Sequence, residues 1–188
     1  EEKIAGKELT VMNIGPCDIP SGKIMVRDPL VFLGMKNNKP YYLSAPAGTY
    51  NTEVCVVKPD DGDCARYAAV RLQFTDKPAI NFYEGLIGNE DLETLEDDSY
   101  FGFGVDAGLG CICDELLYKE FCGFLDKWEK ENPDGNVYDD YFAAFFAENY
   151  NAFPEYQRSG GDWLNWQLPG TEYHMPIFQS GFGDGVYP

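Results

Sequence analysis

Between residues 8 and 76, short runs of β-branched and aromatic residues alternate with Gly, Pro and Asp. Lys23-Ile24-Met25-Val26 and Ala68-Ala69-Val70-Arg71-Leu72-Gln73-Phe74 are two such runs, and the turn-forming residues around them predict strands. Tyr41-Tyr42-Leu43 and Thr52-Glu53-Val54-Cys55-Val56-Val57 flank Ala45-Pro46-Ala47-Gly48-Thr49, which predicts a turn. This half reads as antiparallel sheet, with sequential hairpins as the simplest connection.

The period changes over 114–130. Leu117, Phe121, Phe124, Leu125 and Trp128 recur at three- and four-residue steps, giving the single apolar stripe of an amphipathic helix. Asp114 and Glu115 suit its N-terminal end, and Asn132-Pro133-Asp134-Gly135 stops it. A second helix is expected over 138–150, with Tyr141, Phe142, Phe145 and Phe146 covering the sheet and Asp139, Asp140 and Glu148 facing water. The acidic stretch 88–99 has too few apolar residues for a buried face and reads as a solvated loop or short helix. Residues 100–106 return to a strand pattern, and a late strand over 173–180 precedes a tight glycine loop. The pattern adds up to an α+β fold: a mainly antiparallel sheet in the N-terminal half, two amphipathic helices packed on it, and a single domain over 1–188.

Composition supports a real core, with 44% apolar residues including 13 Phe, 13 Tyr and 3 Trp. The balance of 14 basic against 32 acidic residues gives a formal charge of −18. Nucleic acid and anionic membrane surfaces are repelled by such a chain, whereas a basic protein or a divalent cation is attracted. No apolar run is long enough to span a bilayer, and no secretory leader begins at Glu1. A cytoplasmic location is the simplest reading, and the absent initiator Met keeps an exported mature form open.

Six cysteines lack the density of a disulfide-stapled scaffold, although Cys55 and Cys64 can face each other across a hairpin. The segment from Phe103 through Gly104-Val105-Asp106-Ala107-Gly108-Leu109-Gly110 to Asp114 joins a strand to a helix through glycines, the most site-like part of the chain. It has no dinucleotide or phosphate-loop fingerprint, and no cofactor is identified. Asp106, Asp114 and Asp184 offer three carboxylates for a divalent metal if their loops converge. His174 is the only histidine, so a Cys-His hydrolase would have to pair it with Cys111 or Cys113, oriented by Asp162 or Asp184. Asp162-Trp163-Leu164-Asn165-Trp166 offers two indoles for stacking on a sugar or partner, against a bland reading as core.

Four segments together resemble the bacterial DUF4241 family, a domain of unknown function: 19–24 with Asp28-Pro29-Leu30, 66–71, 103–114 and 180–188. The G-V-D-A-G-x-G-x-x-x-D stretch and the S-G-x-G-D-G-x-Y-P ending are its specific parts. The resemblance nominates Asp106, Gly108, Asp114, Ser180, Gly181, Asp184 and Gly185 without assigning them roles. Phe182 stands where the family pattern often has Trp, and the pattern implies a further strand after Pro188. The charge makes a non-catalytic, immunity-protein-like binder of a basic protein the leading expectation. A metal-assisted hydrolase and a carbohydrate-binding module are the alternatives.

Overall fold

A computed structural model describes residues 3–4, 7–35, 37–58, 65–96 and 99–188. Among these residues, ten strands run in the order β1 (Lys3–Ile4), β2 (Lys7–Ile19), β3 (Ile24–Arg27), β4 (Gly48–Val57), β5 (Arg66–Gln73), β6 (Phe103–Val105), β7 (Leu109–Asp114), β8 (Trp163–Gln167), β9 (His174–Gln179) and β10 (Gly185–Tyr187). Between β7 and β8 lie helices α1 (Glu115–Glu131) and α2 (Ala143–Ala152), the latter entered through a wide π turn at Tyr138–Phe142.

The fold is mixed α+β with antiparallel pairing throughout, but its strands extend through the C-terminal region as well as the N-terminal half. One sheet has the order β1-β2-β4-β5 and a second the order β3-β7-β9-β8, while β10 and β6 form a two-stranded ribbon. Consecutive strands therefore pair as β1 with β2 and β4 with β5, but β2 pairs with β4 and skips β3. β3 leaves the first sheet and pairs with β7, setting Met25 opposite Cys113. Tyr41-Tyr42-Leu43 forms no strand; its Tyr41 N–H donates to the Ile24 carbonyl at 2.7 Å.

Strand alternation in the second sheet sorts its side chains between two cores. Met25, Cys111, Cys113, Leu164, Trp166, Met175 and Ile177 face the helices, where Leu117, Phe121, Phe142 and Phe146 meet them. Ile112, Trp163 and Phe178 face the first sheet, against Ile14, Ile19, Val54, Val56 and Tyr67. The layers are thus sheet, sheet and helices. The helices cover the sheet built largely from C-terminal strands, not the N-terminal one, because only the second sheet presents a continuous apolar face to them.

Both helices form where the period predicts them. In the second, Phe142 and Phe146 are buried but Phe145 is 37% exposed, so the aromatic stripe is narrower than expected. Gly15 marks a bulge in β2: its φ is +103°, and a Cβ there would sit 2.8 Å from Asn165 Cγ. Asn165 uses that space to donate to the Pro16 carbonyl at 2.7 Å, joining the two sheets. The expected pairing of Cys55 with Cys64 lies outside the described residues. Among the described residues, no helix is long and apolar enough to cross a membrane.

Candidate functional site

The two glycine loops singled out in the sequence lie side by side. β6 and β10 pair with Val105 opposite Gly185, which brings the exposed Asp106 and Asp184 to one end of the ribbon. Ser180 N–H donates to the Gly108 carbonyl at 3.0 Å. Ser180 Oγ and Tyr187 Oη both donate to the Gly183 carbonyl, at 2.7 and 2.8 Å, and close the C-terminal loop on itself. Gly181 must be glycine there: its φ is +86°, and a Cβ would meet the Tyr67 carbonyl oxygen at 2.8 Å. The motif residues of the ending therefore shape a loop against β5 and β7.

That loop borders a cleft of about 450 Å³ whose walls include Val26, Tyr67, Phe103, Phe178 and Tyr187. Its lining is mainly aromatic and aliphatic, with Gln179 at the margin. Gln179 is 3% exposed, and its Nε2 has no hydrogen-bond partner among the described residues. Burial raises the Tyr67 hydroxyl well above the ordinary phenol range, with the Asp162 charge adding to it.

Asp114 does not join Asp106 and Asp184. It ends β7 while Asp106 precedes it, and the five steps from Leu109 to Asp114 cover about 17 Å at about 3.3 Å per residue. The Asp114 carboxylate is fully buried and accepts from Leu116 N–H at 2.8 Å, Ser21 N–H at 2.9 Å and Ser21 Oγ at 2.7 Å. It is the N-cap of α1, and the same carboxylate fastens the turn after β2 to that helix. Among the described residues, no three His, Cys, Asp or Glu side chains gather as a metal-ligand set.

The cysteine and histidine arrangement is also dispersed. Cys111 is opposite Ile177, three residues along β9 from His174, and is fully buried against the helices. Burial pushes its thiol up, as it does that of Cys17. The carboxylate beside His174 is Asp18, not Asp162 or Asp184: its Oδ2 accepts the His174 backbone N–H at 2.7 Å and lies 3.3 Å from Nδ1. Asp162 is 1% exposed and accepts from the backbone N–H and the guanidinium of Arg158, closing a turn before β8.

Trp163 and Trp166 are 6% and 3% exposed and face opposite sides of β8. An odd separation in a strand divides them between the two cores, so they form no stacking platform for a sugar.

Sequence reasoning passed over Asp28, which holds the first of these loops. Fully buried, it accepts from Leu30 N–H at 2.8 Å and Val31 N–H at 3.2 Å through Oδ1. Through Oδ2 it accepts from Asp106 N–H at 2.9 Å and Ala107 N–H at 2.7 Å. The Asp-Pro pair was its signal, since an Asp before Pro suits a capped turn.

Four acidic side chains are buried among the described residues: Asp18, Asp28, Asp114 and Asp162. Each accepts hydrogen bonds from the fold. The remaining described carboxylates lie at or near the surface, where they give the chain its acidic exterior.

No curated protein and no solved structure matches the chain. The sequence profile described as "Protein of unknown function (DUF4241)" matches residues 17–188. Its span takes in β3, the capped turn at Asp28, both glycine loops and both helices. The chain belongs to the DUF4241 family.

Proposed function

We propose that this protein is a non-catalytic binding protein whose acidic exterior engages a basic protein, in the manner of an immunity protein that neutralises a toxin. The observation that carries the reading is the division of its carboxylates. The buried ones are consumed in capping and tethering, and those left outside supply most of a formal charge of −18. A surface of one sign steers an oppositely charged partner into encounter and rejects nucleic acid. The commitment of Asp114 to α1 and of Cys111 to the core supports binding over hydrolysis, because neither group is placed to act on a substrate.

Size-exclusion chromatography with a panel of cationic and acidic proteins of matched size tests the reading. Co-elution with cationic members at low salt, released as the Debye length shrinks to about 3 Å near 1 M salt, is the expected result. Retention of acidic members, or complexes indifferent to salt, would overturn it.

A further inference from the structure

The connection from β5 to β6, residues 74–102, holds one 3₁₀ turn at Leu92–Thr94 and no strand among its described residues. A connection of this length is uncommon inside a compact fold unless it serves a function. Every residue from Phe74 to Gly85 is exposed. Ile80 is 89% exposed, Phe82 91% and Tyr83 76%, so their apolar surface is given almost entirely to water.

This segment is anchored rather than trailing. Leu86 and Ile87 are half-buried, and the Leu86 carbonyl accepts the Tyr42 N–H at 2.7 Å. Glu90 locks the next turn by accepting from the N–H groups of Ile87, Gly88 and Asn89 at 2.6, 2.8 and 2.9 Å. Tyr42, 74% exposed, therefore stands beside the segment near Leu86 and Gly88. Contiguous exposed apolar surface rimmed by polar groups marks an interaction site.

The charge of the segment has nearly one sign. Over 74–96 the sequence carries six acidic residues (Asp76, Glu84, Glu90, Asp91, Glu93 and Glu96) and one base, Lys77. Exposed apolar side chains on an acidic segment complement a partner segment that is apolar on one face and cationic on the other.

We infer that residues 74–96, with Tyr42, form a docking surface for a cationic amphipathic segment of a protein partner, with Ile80, Phe82 and Tyr83 as its apolar anchors. This rests on the acidic-binder reading and adds the place and the chemistry of the partner. The acids bring the partner in, and the anchors hold it by burying surface that is otherwise wet.

Two labelled peptides of equal length and charge test the inference by fluorescence anisotropy at low salt. One places leucines at i, i+3, i+4 and i+7 with lysines between them, as an amphipathic helix, and the other replaces each leucine with glycine. The wild-type protein binds the Leu-Lys peptide at least about tenfold more tightly than the Gly-Lys peptide. The triple variant Ile80→Ser/Phe82→Ser/Tyr83→Ser loses that preference and binds the Gly-Lys peptide as wild type does. Because all three side chains are exposed, this variant keeps the wild-type melting temperature. The variant Glu84→Gln/Glu93→Gln/Glu96→Gln weakens both peptides alike and leaves Glu90 in its turn. A preference that survives the serine variant, or is missing in the wild type, overturns the inference and leaves the acidic-binder reading standing. Failure of the Gly-Lys peptide to bind, or binding indifferent to salt, overturns the reading itself.

Discussion

Replacing Asp28 by Ala should loosen the turn at residues 28–31 and the first glycine loop at once. The carboxylate is buried and accepts four backbone N–H groups at 2.7 to 3.2 Å. A hydrogen bond to a charged acceptor contributes about 1.5–3 kcal/mol net, and a donor left dry costs about as much. Asp106 and Ala107 are exposed, so water replaces their lost partner, whereas Leu30 and Val31 are half-buried. Taking the low end for those two donors and little for the others gives a loss of about 3 kcal/mol. At about 2–4 °C per kcal/mol for a chain of this size, the melting temperature falls by about 6–12 °C. Asp28→Asn keeps one acceptor oxygen but turns an NH₂ toward one pair of donors, so it too destabilises, by about 2 kcal/mol. Urea unfolding followed by tryptophan emission reads the loss, since Trp163 and Trp166 are buried in the fold. Amide exchange at Asp106 and Ala107 should accelerate in both variants even where the fold persists. If both variants unfold within about 0.5 kcal/mol of wild type, the tethering role assigned to Asp28 is wrong.

The same geometry sets other outcomes. Asp114→Ala removes the α1 N-cap and the acceptor for Ser21, and should cost about 2–3 kcal/mol in urea unfolding, while Ser21→Ala costs about 1 kcal/mol. Gly181→Ala, which forces a Cβ to 2.8 Å from the Tyr67 carbonyl at a φ of +86°, should lower stability by about 2 kcal/mol and expose the aromatic cleft to quenchers. Burial raises the Cys17 and Cys111 thiols above their unfolded values, so the native state holds protons that the unfolded chain releases. That contribution is complete below about pH 8.5 and declines as the pH rises beyond it, which denaturation from pH 7 to 10 will show. At pH 8, iodoacetamide should label the half-buried Cys55 and Cys122 before Cys17, Cys111 and Cys113.

How much of this was legible in the chain depended on whether the information was local. Helix α1 could be read because its cap, Asp114, and its stripe, from Leu117 to Phe124, lie within a few residues of one another. The partition of strands could not. Ile24–Arg27 looks like a strand between two partners of the first sheet, yet it pairs with residues near position 112. Alternation tells which side of a strand is apolar, not which strand lies beside it. Trp163 and Trp166 would share a face in a helix and are split in a strand, so their fate waited on the element that holds them. The acids divided the same way: Asp28 and Asp114 announce caps through the residues next in the chain and Asp162 closes a turn on Arg158 four residues earlier, whereas Asp18 finds its partner only after folding brings His174 beside it. The approach of the 106–108 and 180–183 loops was foreseen as a possibility of the glycines and realised by the β6–β10 ribbon.

The central claim is that the outward-facing carboxylates are the binding surface. The most direct measurement is the association rate constant for the Leu-Lys peptide, by stopped-flow, as ionic strength rises from 0.01 to 0.15 M and the Debye length shrinks from about 30 to about 8 Å. The account predicts a fall of about tenfold or more, with dissociation changing much less. A rate constant that stays level across that range would contradict it.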